Sequence, residues 1–132
     1  MSSSATPSSL EGFGQRHRLL AAKDYSEVFA ARRVLRGARF ALHYRPNGLS
    51  GPRLGLVIPK KQARAAVLRN AIKRQTRELF RRRRTGLPSM DLILRLAQPI
   101  DRPKRILDSA ARASWRSEIT VLFDQLSQKA VP

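Results

Sequence analysis

The sequence predicts an α+β domain in which a small sheet packs against helices. Three observations lead there. Residues 38–45 and 90–98 alternate in polarity with the period of a strand, and 53–59 is a short apolar run bounded by turn formers. Residues 19–31, 63–83 and 106–127 instead repeat their apolar positions with a helical period. These segments interleave as αββαβα, which suits one sheet covered by helices. At 132 residues and 42% hydrophobic content the chain is long enough for one domain with a modest core. It contains no internal repeat.

Each element has its own justification. Residues 1–14 are rich in Ser, Pro, Gly and Thr and are predicted to be a disordered tail ahead of a domain at 15–127, with a short tail at 128–132. In the first helix Tyr25 and Phe29 lie four apart and share a face, with Leu20 and Ala21 on an adjacent stripe. In the first strand Phe40, Leu42 and Tyr44 point one way and Arg39, Ala41, His43 and Arg45 the other. Residues 46–52, PNGLSGP, form a loop, and the strand 53–59 is expected to return antiparallel to the first through it. The long helix carries Leu68, Ile72, Thr76 and Leu79 on one stripe and mostly basic residues opposite. Gly86 and Pro88 end it. Met90, Leu92, Leu94 and Leu96 form the apolar side of the last strand. PIDRP (99–103) is a linker. The final helix presents Leu107, Ala111, Trp115, Leu122 and Leu126.

Charge narrows the function. The chain has 27 basic and 9 acidic residues, a formal net charge of +18. Self-repulsion of that size favours a polyanionic partner, with nucleic acid ahead of an acidic membrane surface. Between Arg53 and Arg84 there are 12 Lys or Arg and one acid, Glu78. Arg69, Lys73, Arg77 and Arg81 recur every four residues, so their side chains can track a phosphate backbone. Like charges at that spacing weaken an isolated helix by a few tenths of a kcal/mol, roughly, per pair. The apolar stripe is therefore needed to hold the helix. Asn70 in the middle can bond backbone or base edges.

Other classes are disfavoured. With no Cys there is no disulfide or thiolate site, and two His make no His-rich metal cluster. The N-terminus lacks the plan of a secretory signal, and no apolar run reaches the roughly 20 residues of a membrane span, so a cytoplasmic protein is expected. No carboxylate pair is spaced for a two-metal nuclease, and no Gly-rich phosphate loop is present. Asp24 and Glu27 read as a solvated helix face. His17, between two arginines, reads as a surface residue or phosphate contact. Tyr25, Phe29 and His43 beside a basic groove could stack the bases of a single strand. Their ordinary alternatives are core packing for the first two and an exposed strand position for His43.

The residues at this point resemble the bacterial ribonuclease P protein subunit. The resemblance rests on Arg53-Leu54-Gly55-Leu56, on Lys60-Lys61, on Ala66 to Arg74 (AVLRNAIKR), and on Arg77-Glu78-Leu79-Phe80. Asp24-Tyr25, Val28-Phe29 and Phe40 add to it, and it spans roughly residues 16–126. It implies a two-layer sandwich like the second domain of ribosomal protein S5, with a left-handed βαβ crossover. The general rule for such crossovers favours the other hand. It also implies an endoribonuclease in which a large RNA subunit does the catalysis with Mg²⁺ bound mainly by that RNA and the substrate; no catalytic or metal-binding residue is assigned to the protein. The protein would act as a monomer in a 1:1 ribonucleoprotein, without a membrane. Lys60, Lys61, Arg64, Arg69, Asn70, Lys73, Arg74 and Arg77 would contact RNA. Tyr25, Phe29, His43 and Val57 would line a cleft for the 5′ leader of precursor tRNA.

Two departures stand out. Ala71 replaces an arginine usual in the basic-helix motif, and His43 replaces a frequent tyrosine, which implies weaker or protonation-sensitive stacking. Three rival readings remain: a ribosomal-protein-like RNA binder without a processing role, a nucleoid-type DNA-binding module and a membrane-surface helix. The DNA reading lacks a helix-turn-helix pair. The membrane reading lacks a wide apolar face.

Overall fold

A computed structural model describes residues 20–100 and 109–129. The predicted tail 1–14, His17, Leu107 and most of the 99–103 linker lie outside the described residues. The elements are α1 (Ala22–Ala30), β1 (Val34–Arg36), β2 (Phe40–Pro46), β3 (Arg53–Val57), α2 (Ala66–Arg83), a 3-10 turn (Arg84–Gly86), β4 (Met90–Leu96) and α3 (Ser109–Lys129). The order is the expected one with a single addition. Strand β1 has three residues, too few for alternation to be visible, and exists by pairing Val34 with His43 and Arg36 with Ala41.

The four strands are ordered β1-β2-β4-β3. β4 runs antiparallel to β2 and parallel to β3. The expected antiparallel sense of β2 and β3 therefore holds, but they are not neighbours: β4 lies between them. The reason is α2. It carries the chain from the end of β3 back to the start of a parallel β4, so β3–α2–β4 is a βαβ unit.

The main core fills one face of the sheet. Phe40, Leu42, Leu54, Leu92, Leu94 and Leu96 meet Leu68, Ile72 and Phe80 of α2 and Trp115, Ile119, Leu122, Phe123 and Leu126 of α3. The buried stripe of α2 is Leu68, Ile72, Thr76 and Phe80, with Leu79 only partly covered. Thr76 is tolerated there because its hydroxyl donates to the Ile72 carbonyl at 2.8 Å. The opposite face is covered by α1. There Leu20, Val28 and Ile93 are buried, with Tyr25 and Val57 packed against them.

Asp24 is not part of a solvated face, as its helical position had suggested. It is 8% exposed. Its carboxylate accepts from the Ala21 backbone N–H at 2.9 Å, which caps α1, and lies 3.6 Å from Arg53. Arg53 also donates twice to buried Asp91, at 2.8 Å each. This network joins α1, β3 and β4 at one end of the sheet.

Candidate nucleic-acid interface

Two regions contain the predicted site residues: the outer side of α2 with the turn before it, and the face of the sheet on which α1 packs. The turn, residues 59–65, is held from several sides. Ala63 N–H and Gln62 N–H donate to the Pro59 carbonyl at 3.1 Å, and the Gln62 side chain donates to Ala97 O at 3.2 Å. Arg69 reaches back from α2 and donates to the carbonyls of Ala63 (3.0 Å) and Arg64 (2.6 Å). These bonds fix a turn whose outward side chains are Lys60, Lys61 and Arg64, all exposed. Arg69 is thus half-buried, and part of its donor fork is already used to hold the turn.

Along α2, Asn70, Arg74, Arg77 and Arg81 with Glu78 line one depression of about 290 Å³. Lys73 is half-buried on the same helix. The first turn of α2 has no acidic residue and its N-cap, Ala65, offers no side-chain cap. The positive end of the helix dipole is therefore left to add to the lysines and arginines around it.

The charges of this region differ in what they face. Glu78 accepts from Arg81 at 2.7 Å and Arg82 at 2.8 Å, and those bonds hold its carboxyl below the usual glutamate range. Arg83 pairs with Asp124 of α3. Among the described residues, Lys60, Lys61, Arg64, Lys73, Arg74 and Arg77 form no ion pair with any carboxylate. The basic stretch is therefore divided. Three of its C-terminal arginines are engaged within the protein, and its N-terminal half faces outward.

Between α1 and the sheet, the Tyr25 hydroxyl accepts from the Leu56 backbone N–H at 3.2 Å, which seats the ring over Gly55. Val57, in the same cluster, is half-buried. The Phe29 ring is 36% exposed and meets His43 edge-on, with centroids 4.7 Å apart and planes at 75°. All four predicted cleft residues thus share one face of the sheet. The same face adds Arg95, which the sequence had placed only on the polar side of its strand. Its Nε donates to His43 Nε2 at 3.1 Å. The one signal for it was its alternation with Leu94 and Leu96.

The His43 pKa is lowered to about 4, first by burial and then by the nearby charges of Arg95 and Arg36. At neutral pH the ring is uncharged and accepts a hydrogen bond. The expected sensitivity to protonation is moved well below neutral.

Comparison with known proteins agrees with the fold and with the family resemblance. The family model described as Ribonuclease P matches residues 13–120. The chain is 48% identical over 118 residues to the ribonuclease P protein component of Azoarcus sp. (strain BH72), covering 89% of this chain and 92% of that protein. It is 43% identical over 104 residues to the corresponding protein of Aromatoleum aromaticum, covering 79% and 87%. Among solved structures, the RNase P protein from Thermotoga maritima superposes with a TM-score of 0.65 at 27% identity, over 83% of this chain and 97% of that one. A Staphylococcus aureus RNase P protein shares the fold with a TM-score of 0.63 at 22% identity, over 87% and 95%.

Proposed function

The chain belongs to the ribonuclease P protein family, and from that premise we propose that it binds the catalytic RNA subunit through α2 and its preceding turn and holds the 5′ leader of precursor tRNA against α1 and the sheet. The observation that carries this reading is the division of charge along α2. Carboxylates of the protein engage the C-terminal arginines, and Lys60, Lys61, Arg64, Lys73, Arg74 and Arg77, on a fixed turn and a packed helix, have no carboxylate partner among the described residues. Phosphate contacts of this kind supply most of the affinity for RNA and make it fall steeply with salt. The cleft supplies flat rings with Arg95 beside them, the combination that holds a flexible strand. The relatives speak for this reading over an RNA binder without a processing role.

The reaction is endonucleolytic removal of the leader, a phosphodiester hydrolysis that depends on Mg²⁺. The described side chains do not fit that ion. No group of three or more His, Cys, Asp or Glu could hold a metal among them. Each described carboxylate is bound by an arginine: Asp24 and Asp91 by Arg53, Glu27 by Arg45, Glu78 by Arg81 and Arg82, Glu118 by Arg39 and Asp124 by Arg83. We therefore assign Mg²⁺ and catalysis to the RNA subunit and substrate, and binding and positioning to the protein. The assembly is a 1:1 ribonucleoprotein in the cytoplasm.

Reconstitution tests this. The protein alone should not cleave precursor tRNA. With its cognate RNA subunit it should lower the Mg²⁺ concentration needed for cleavage at the mature 5′ end. Cleavage by the repurified protein without RNA, or no change in the Mg²⁺ requirement, would overturn the assignment.

A further inference from the structure

A second groove lies between α2 and α3, around the helix from the strip of Asn70, Arg74 and Arg77. It encloses about 410 Å³ and is lined by Arg74 and Arg82 from α2 and Arg112 and Arg116 from α3. Among the described residues that line it, four guanidinium groups stand with one carboxylate, Glu78, which is bonded to Arg82. Its apolar lining comes from Ala71 and Leu79. Position 71 matters because a methyl group leaves the space between the helices open, where a longer side chain would run along it. Gln75 also lines the groove. Its amide is oriented by α3, since Nε2 donates to the Arg112 carbonyl at 2.9 Å. That leaves Oε1 buried with no donor among the described residues.

We propose that this groove takes a single unstacked nucleotide of the RNA subunit. The proposal rests on the chain's being the RNA-binding component argued above. The volume falls within the range of pockets that enclose small molecules, about 300–1,000 Å³. An extruded base has apolar faces for Ala71 and Leu79 and for the guanidinium planes. Its phosphate matches the arginine rim. RNA is favoured over an acidic protein by continuity: Arg74 lines both this groove and the strip on the outer side of α2. One strand can thus pass from one to the other. Helix α3, apolar on its inner side and absent from the basic motif, becomes part of the RNA interface through Arg116.

The protein has no cysteine, so a cleavage reagent can be tethered at one chosen position. An iron chelate on Arg116→Cys, with Lys73→Cys as the reference position, is assayed for hydroxyl-radical cutting of the cognate ribonuclease P RNA. The expected result is that position 116 cuts one short unpaired stretch. In parallel, Arg116→Ala should reduce the slope of log affinity against log salt by about 0.7, which is about fivefold in affinity at 0.1 M salt relative to 1 M. Cutting from position 73 without cutting from 116 overturns the groove proposal and leaves the RNA-subunit reading intact. So does an unchanged salt slope, or cutting spread across both strands of a duplex. Failure of the unmodified protein to bind the RNA overturns both.

Discussion

Replacing Gly55 with alanine drives a methyl group into the Tyr25 ring. A Cβ at this position would lie 2.7 Å from Tyr25 Oη, 2.8 Å from Cζ and 3.1 Å from Leu20 Cδ1. Relief requires the ring to lift from the strand by more than half an ångström, roughly, because ordinary contacts are about 3.5–4.0 Å. The Leu56 N–H to Tyr25 Oη bond, already 3.2 Å, then passes beyond hydrogen-bonding range. Overpacking costs about 1–3 kcal/mol. The lost hydrogen bond adds about 0.5–1.5 kcal/mol. Restriction of the unfolded chain returns about 0.4–1 kcal/mol. The net is a destabilisation of about 2 kcal/mol, measured as a fall in the urea midpoint at constant m-value. The decisive control is the Tyr25→Ala background, where the alanine at 55 meets only the tip of the Leu20 side chain, at 3.1 Å. The cost of Gly55→Ala should shrink there to a few tenths of a kcal/mol, roughly, as coupled neighbours require. Equal cost with and without the Tyr25 ring would refute the account of how Tyr25 is seated. Gly55→Ala should also weaken precursor tRNA more than mature tRNA, because it disturbs the cleft and leaves α2 untouched.

Two further outcomes follow from the polar networks. Asp91→Asn should destabilise the fold by about 2–4 kcal/mol, somewhat below the figure for breaking a fully buried pair, because the Arg53 side chain is 23% exposed. The double replacement Asp91→Leu with Arg53→Met should cost less than Asp91→Asn alone, and a larger cost would show that the pair is not the source of the effect. Stability should also depend on pH through His43. Its folded pKa of about 4 lies below the ordinary 6.5, so between those values the unfolded chain binds the extra proton. Stability attributable to His43 is complete above about pH 6.5 and is lost progressively as pH falls toward 4. Chemical denaturation of the protein beside His43→Gln should show their difference changing across this window, and a constant difference would contradict the burial of a neutral ring.

Much of the architecture was legible because burial imposes a period. Leu42 and Tyr44, or Leu92 and Leu94, could be assigned to one face by alternation alone. The stripe of α2 was legible through Ile72 and Thr76 but not at its end, where Phe80 rather than Leu79 turns inward. One helical position shifts a side chain by about 100°, and only packing against α3 decides between the two. Strand order was not legible. Nothing local in Met90–Leu96 says that it inserts between β2 and β3, because that depends on where α2 returns the chain. Asp24 was misread for a related reason. Its helical position suggested solvent, but its partner Arg53 lies on another element, and pairing across elements leaves no mark in either segment. That Tyr25, Phe29, His43 and Val57 group together was legible, but the presence of Arg95 beside them was not. Arg95 joins them through His43, a contact between residues on adjacent strands.

Charge explains why the protein can be so basic and still fold. The sequence shows basic residues concentrated from Arg53 to Arg84, and the structure places the scarce carboxylates at the joints between elements. Asp91 and Asp24 meet Arg53 where α1, β3 and β4 converge. Glu118 of α3 accepts from the backbone N–H groups of Arg39 and Phe40, both at 2.7 Å, and so ties α3 to the start of β2. Asp124 fastens the end of α2 to α3 through Arg83. Acids used this way cannot dilute the field over the N-terminal half of α2, where Lys60, Lys61, Arg64, Lys73, Arg74 and Arg77 lie beside an uncapped helix end. Their mutual repulsion destabilises the protein on its own and would be relieved by a polyanion, so under the proposed function the same residues that weaken the isolated fold would provide the free energy of association. The joints must therefore be strong enough to hold the scaffold before the RNA arrives. That is where the paired acids sit.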